Sequence, residues 1–244
     1  MRTGGIIGGG TGETYSGETA LRRHNSGHSH GRLFVVGIGP GDLADLSFRA
    51  QRVLQESDII IGYNVYLELI RELVFPGQEI VGTGMMQEVE RCTEAVRRAA
   101  RGSKVAVVSS GDAGIYGMAG VVLELINKMQ VQEKVEFEVI PGISAVNAAA
   151  ASLGAPLMHD FAVISLSDLL TPWTKIEQRI HCAAQGDFVI ALYNPKSLKR
   201  GWQIEKVREI LLAYKPASTP VGIVRNAHRH DEQVTVTNLD KFTR

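Results

Sequence analysis

From Leu33 onward the chain alternates between two hydrophobic rhythms. Short runs of consecutive apolar residues, bounded by glycine, proline or acids, read as strands buried on both faces. They cover Leu33 to Ile38, Ile59 to Ile61, Glu79 to Val81, Val105 to Val108 and Val135 to Ile140. Between them lie stretches with apolar residues three and four apart, the spacing of amphipathic helices. These run over Leu46 to Gln55, Val65 to Leu73, Val89 to Arg101 and Ile115 to Lys128, with an alanine-rich helix ending at Leu153. Strict strand–helix alternation predicts a mainly parallel sheet covered on both faces.

Gly154-Ala155-Pro156 breaks the rhythm and marks the expected boundary between an α/β domain over 32–153 and a second over 154–244. The second has strand patterns at Phe161 to Leu166, Phe188 to Tyr193, Val221 to Arg225 and Gln233 to Thr237. Helices are expected from Thr171-Pro172-Trp173 and over Ser197 to Tyr214. That pattern predicts a smaller α/β unit with a mixed sheet and an antiparallel edge. A strand-like segment stops just before Arg244, so a last strand is expected to be missing. The fold class is therefore a two-domain α/β architecture with a cleft between the domains. Residues 1–31 carry mostly Gly, Thr, Ser, Glu and His and too little apolar surface to offset ordering entropy, which reads as a tail or linker remnant. His24, His28 and His30 in it are read as solvated, because a mobile tail gives a metal no fixed surroundings.

Charge and cysteine content narrow the partners. The 26 Lys and Arg balance the 26 Asp and Glu, which speaks against a nucleic-acid surface. Cys92 and Cys182 lie far apart and suggest a reducing compartment, with no disulfide framework and no zinc or iron–sulfur site. No apolar run approaches the roughly 20 residues of a membrane span, and no signal peptide is apparent. A cytoplasmic protein without membrane partner or bound metal is expected.

The candidate chemistry sits in the turns after strands one, four and five: Gly37-Ile38-Gly39-Pro40-Gly41-Asp42, Ser109-Ser110-Gly111-Asp112 and Pro141-Gly142-Ile143-Ser144-Ala145. Small residues at the carboxyl ends of strands let a ligand approach the backbone. The first loop is not a dinucleotide fingerprint: its sixth position is Asp42 where glycine is needed, Pro40 lacks an amide donor, and Asp42 would repel a pyrophosphate. Each turn alone is compatible with a purely structural role, Asp112 and Ser144 acting as helix caps; three of them along one sheet edge favour a shared ligand cleft. Leu192-Tyr193-Asn194-Pro195 and Val224-Arg225-Asn226-Ala227 follow two more strands. Lys196, Lys199, Arg200, Arg225 and Arg229 read either as a solvated face or as a site for an anion. His228 and His230 read as surface residues. His159-Asp160 is an acid/base candidate, with a structural pair as the alternative. No nucleophile elbow, Walker loop or His-Glu-x-x-His is present.

Taken together, Val36 to Asp42, Ser109 to Asp112, Pro141 to Ala145 and Leu192 to Pro195 resemble the tetrapyrrole (class III) methyltransferases, from about Arg32 to the C-terminus. Gly62-Tyr63-Asn64-Val65-Tyr66, Tyr116 to Gly120, Asp160 to Asp168 and Tyr193 to Ser197 resemble the branch that methylates C17 of precorrin-3B or cobalt-factor III in cobalamin biosynthesis. The resemblance implies a homodimeric enzyme that binds S-adenosylmethionine between its domains. It places cofactor contacts at Pro40, Ser110, Gly111, Asp112, Ile115, Ser144, Ala145, Asn194 and Ala227. Asn194 departs from the pattern, since several relatives carry an apolar residue there. The macrocycle's carboxylates would meet Lys196, Arg200, Arg225 or Arg229. In this branch methylation accompanies ring contraction and lactone formation, for which His159, Asp160 and Tyr116 are the acid/base candidates. Some members carry a cysteine-bound iron–sulfur cluster in an extension; this chain has no such cysteines, so none is expected. The alternatives are a methyltransferase of the same fold with another acceptor and a non-catalytic corrinoid-binding chain.

Overall fold

The computed structural model describes residues 30–196 and 201–243. The first half forms β1 (Gly31–Gly37), α1 (Phe48–Glu56), β2 (Ile59–Tyr63), α2 (Asn64–Leu69), β3 (Glu79–Thr83), α3 (Glu88–Ala99), β4 (Lys104–Ser109), α4 (Ala119–Lys128), β5 (Val135–Ile140) and α5 (Ala145–Ser152). The five strands make one sheet in the order β3-β2-β4-β1-β5, and every pairing is parallel.

The sandwiching of this sheet follows from the alternation of side chains along each strand. Leu33 and Val35 of β1, Ile59 and Ile61 of β2, and Val105 and Val107 of β4 pack against α3 and α4. Phe34 and Val36, Ile60, and Ala106 and Val108 point the other way, against α1 and α2. Both faces are dry, which is why these strands read as unbroken apolar runs.

The second half contains β6 (Phe161–Ser165), α6 (Trp173–Gln185), β7 (Val189–Tyr193), α7 (Trp202–Leu212), β8 (Pro220–Arg225) and β9 (Gln233–Asn238). The expected mixed sheet is divided. β6 and β7 pair in parallel, β8 and β9 pair antiparallel, and among the described residues no ladder joins the two pairs. They nevertheless share a core with Ile176 and Ile180 of α6, Ile204 and Val207 of α7, and Leu239.

Several boundaries differ from the periodicity: the helix expected over Val65 to Leu73 stops at Leu69, and a separate 3-10 turn covers Arg71–Leu73. The helix expected from Ile115 begins only at Ala119. Tyr116 adopts a left-handed φ of 52°, and a Cβ at Gly117 would lie 2.7 Å from the Asp112 carbonyl oxygen, so Ala113 to Met118 form a tight non-helical turn. Pro172 caps α6 rather than entering it. Among the described residues no helix is long and apolar enough to cross a membrane.

Ile61 is fully buried, whereas Phe48 is 92 % exposed. Ile61→Ala is expected to lower unfolding stability by about 2–5 kcal/mol. Phe48→Ala should stay within about 0.5 kcal/mol. Urea unfolding of both variants checks the contrast.

Candidate functional site

β4, β1 and β5 are neighbours in the sheet, so the turns that follow them emerge side by side. They then touch through backbone. The Ile38 amide donates to the Ser109 carbonyl at 2.9 Å. Gly39 and Gly111 exchange both backbone hydrogen bonds, at 3.1 and 2.8 Å. A Cβ on Gly37 would lie 2.7 Å from the Gly142 amide nitrogen and 2.8 Å from the Gly111 carbonyl oxygen. Gly37 and Gly142 are therefore required by contact, since only a residue without a side chain admits this approach.

Asp112 ties the second turn to the third. Its Oδ1 accepts from the amides of Gly114 at 2.8 Å and Ile115 at 3.1 Å, and its Oδ2 accepts from the Gly142 amide at 3.0 Å. Three amide donors hold one carboxylate in a fixed position. Ser144 is buried and caps α5, accepting from the Asn147 amide at 3.4 Å. In the first turn Asp42 accepts from the Ala44 amide at 2.8 Å and caps a short 3-10 turn over Leu43–Asp45. Around this backbone platform Ile115, Tyr116 and Ile143 stand exposed.

The second half meets the platform through a few polar side chains. The Tyr116 hydroxyl donates to the Val163 carbonyl and accepts from the Ser165 amide, both at 3.1 Å. Those are the two backbone groups that a residue of a neighbouring parallel strand would use, so the hydroxyl stands in for a strand at the free edge of β6. The Tyr193 hydroxyl accepts from the Val146 amide at 2.9 Å, and the two tyrosine rings pack at 5.2 Å between centroids. The Asn194 amide donates to Ser165 Oγ at 3.0 Å. From the β8–β9 loop, Arg229 donates to the Pro40 carbonyl at 2.8 Å and to Ser110 Oγ at 3.4 Å, bridging the first and second turns. His228 Nδ1 lies 2.6 Å from the Asp45 carboxylate, which holds the imidazole pKa above its ordinary value. Tyr116, Asn194, Asn226 and His228 all have left-handed φ, between 52° and 56°; such residues cluster at sites whose surroundings over-determine them.

The structure thus gathers Pro40, Ser110, Gly111, Asp112, Ile115, Ser144, Ala145, Tyr116, Asn194 and Arg229 about one set of turns, with Ala227 between Asn226 and His228 in the adjoining loop. It does not bring His159 and Asp160 there. Both are exposed and precede β6, at the opposite end of that strand from Ser165, about 16–20 Å away by strand rise. The Tyr116 hydroxyl is already committed as donor and acceptor. Arg225 is exposed at the end of β8, and exposed Lys196 reaches the Thr243 carbonyl at 3.4 Å. Arg200 and Lys199 lie outside the described residues, as do His24 and His28. Asp45 and Tyr193 are the contributors that pattern reading did not single out. Tyr193 was visible only as part of a strand end, and nothing local links Asp45 to a histidine 183 residues away. Two shallow hollows flank the Arg229 crossing. One, of about 350 Å³, is lined by Asp42, Glu68, Glu72 and His230. The other, of about 610 Å³, is lined by Asp45, Ser152, His228 and Glu232.

A family profile described as tetrapyrrole (corrin/porphyrin) methylases matches residues 32–243. The cobalt-factor III methyltransferase of Priestia megaterium is 56 % identical over 86 % of this chain, which spans 39 % of that protein. The probable cobalt-factor III C(17)-methyltransferase of Salmonella typhimurium is 50 % identical over 85 % of each chain. A crystal structure of the methyltransferase CobJ superimposes with a TM-score of 0.82 at 36 % identity, covering 86 % of this chain and 87 % of that one.

Gly142→Ala should displace the third turn and lower unfolding stability by about 1–3 kcal/mol, read by thermal denaturation. The raised pKa of His228 means that its contact with Asp45 stabilises the docked loop fully below the ordinary imidazole range. That contribution is lost as pH rises through the elevated value. An NMR titration should find the His228 pKa falling in Asp45→Asn; an unchanged pKa would remove the ion pair from the account.

Proposed function

The chain belongs to the tetrapyrrole (corrin/porphyrin) methylase family, and from that we propose that it transfers a methyl group from S-adenosylmethionine to C17 of cobalt-factor III in cobalamin biosynthesis. Both curated relatives described above carry cobalt-factor III in their names, which favours the cobalt-bound acceptor over precorrin-3B. The observation that carries the reading is the backbone convergence of Gly39, Gly111 and Gly142 beneath one fixed carboxylate, Asp112.

That platform suits the donor chemically. A sulfonium is a cation and needs no phosphate cradle. The turns present a carboxylate with its geometry locked, and Arg229, reaching in from the β8–β9 loop, is turned onto the Pro40 carbonyl and Ser110. Exposed Ile115 and Ile143 give apolar surface beside it. We assign donor contacts to Pro40, Ser110, Gly111, Asp112, Ile115, Ser144, Ala145, Asn194 and Ala227. When bound, the donor supplies an electrophilic methyl group on a positively charged sulfur. A nucleophilic carbon of a conjugated macrocycle needs no activation by a strong base, so the chain's main work is to hold the two partners in line. Alignment of this kind supplies roughly 7–11 kcal/mol. Asp112 keeps the second and third turns in register. Tyr116 and Tyr193 hold the ends of β6 and β7 against them, and Arg229 braces the first turn. We assign Lys196, Arg225 and Arg229 to the carboxylates of the macrocycle, with Arg200 as a further candidate. The working arrangement is taken as two domains, 32–153 and 154–244, in a homodimer.

Methyl-labelled S-adenosylmethionine incubated with cobalt-factor III should give a product heavier by one labelled methyl group in mass spectrometry, with less label on precorrin-3B. Asp112→Asn should lower kcat/KM by about tenfold or more, since it exchanges a charged acceptor of three amides for a neutral one. Absence of transfer to either macrocycle refutes the assignment.

A further inference from the structure

We propose that Leu169 and Leu170, at the tip of the loop between β6 and α6, form the apolar platform on which one face of the macrocycle rests; this deepens the methyltransferase reading and depends on it. The two leucines are 81 % and 96 % exposed, among the most exposed large apolar side chains of the described residues. Exposed adjacent leucines on a short loop call for a covering group.

The base of the loop is held firmly, and it is held at the site. Ser165 accepts the Asn194 amide through its hydroxyl and donates its own amide to Tyr116. The Ser167 amide donates to Ser165 Oγ at 3.2 Å, the Leu166 amide donates to the Tyr193 carbonyl at 2.9 Å, and the buried Gln203 amide donates to the Asp168 carboxylate at 3.2 Å. From Ser165 the chain reaches Leu169 in four residues, at most about 14 Å when fully extended. The apolar tip therefore stands within a macrocycle's reach of the Tyr116 and Asn194 junction, on the carboxyl side of β6.

The surface continues into aromatic residues. α6 and α7 begin at Trp173 and Trp202, whose rings meet edge to face at 4.8 Å, and Trp202 remains half exposed. Lys196 follows β7 at the same end of the strands and is exposed. An aliphatic tip, an aromatic pair and a cation at the margin match a flat conjugated ring edged with carboxylates. The polar bonds that hold Ser165 to Asp168 at the base of the tip limit the entropy lost when a ligand covers it.

The chain has two tryptophans, Trp173 three residues after Leu170 and Trp202 packed on Trp173, so quenching of their fluorescence reports macrocycle binding. In the full chain, anaerobic titration with cobalt-factor III is expected to show Leu170→Ser and the double variant Leu169→Ser/Leu170→Ser binding about tenfold or more weakly. Leu170→Met should restore binding. S-adenosylhomocysteine affinity by calorimetry and the unfolding midpoint should be unchanged, because neither leucine is packed in the core. Methyl transfer should show the loss as a raised KM for the macrocycle with kcat nearly preserved. Wild-type macrocycle affinity in the serine variants overturns the proposal, as does a change confined to their sedimentation behaviour, which would make the tip a contact between copies. If the unaltered chain binds no macrocycle, the methyltransferase reading and this inference fall together; if it methylates while the serine variants titrate normally, only this inference falls.

Discussion

Backbone touches backbone where the turns after β1, β4 and β5 meet, and that contact excludes side chains at Gly37 and Gly142. The rest of the site depends on it. Because Gly39 and Gly111 share two hydrogen bonds, the first and second turns move as one body. Because the Gly142 amide reaches Asp112, the third turn joins them. The result is a nearly side-chain-free shelf along three adjacent strand ends, with one carboxylate held in it. Such a shelf can present backbone carbonyls and amides closely to a small ligand, as strand ends in open parallel sheets do.

The attachment of the second half is of a different kind. It rests on single side chains rather than on shared ladders: Tyr116 on β6, Tyr193 on α5, His228 on Asp45, and Arg229 across the first two turns. Several of the residues that make or carry these contacts have left-handed backbone, a conformation that costs a non-glycine residue roughly 1–2 kcal/mol. Short polar links between two well-packed cores fix the approach of the strand ends. The loop that carries His228 and Arg229 adds a proton-sensitive link, since the imidazole binds its proton more tightly beside Asp45.

Electrostatics separates this shelf from the phosphate-binding turns that its glycines resemble. A phosphate site at a strand–helix turn needs free amide donors and a surrounding of positive or neutral groups. Here Pro40 has no amide hydrogen, Asp42 and Asp112 are acids, and the amides of Gly114, Ile115 and Gly142 are spent on Asp112. What remains suits a cationic donor. Cys92 takes no part: its thiol is buried and pushed up to about 11.

Periodicity alone was enough for the first half, because a parallel strand covered on both faces must be continuously apolar and the helices between must be amphipathic. Leu33 to Val36 and Val105 to Val108 could hardly be anything else. The turn residues were equally legible as glycine, proline, serine and aspartate at strand ends. The order of the strands was not legible: nothing local states that β1 inserts between β4 and β5, yet that insertion is what brings the three turns together. Nor did local pattern show that Tyr116 would spend its hydroxyl on the edge of β6, that His228 would find Asp45, or that His159 and Asp160 would lie at the far end of a strand. Those facts belong to long-range packing, where a side chain's role is set by which backbone group it meets. Sequence by itself therefore determined the elements and the chemistry of their ends, and tertiary structure alone decided which ends share a cleft, because adjacency in a sheet is chosen by the burial of whole faces and not by any one segment.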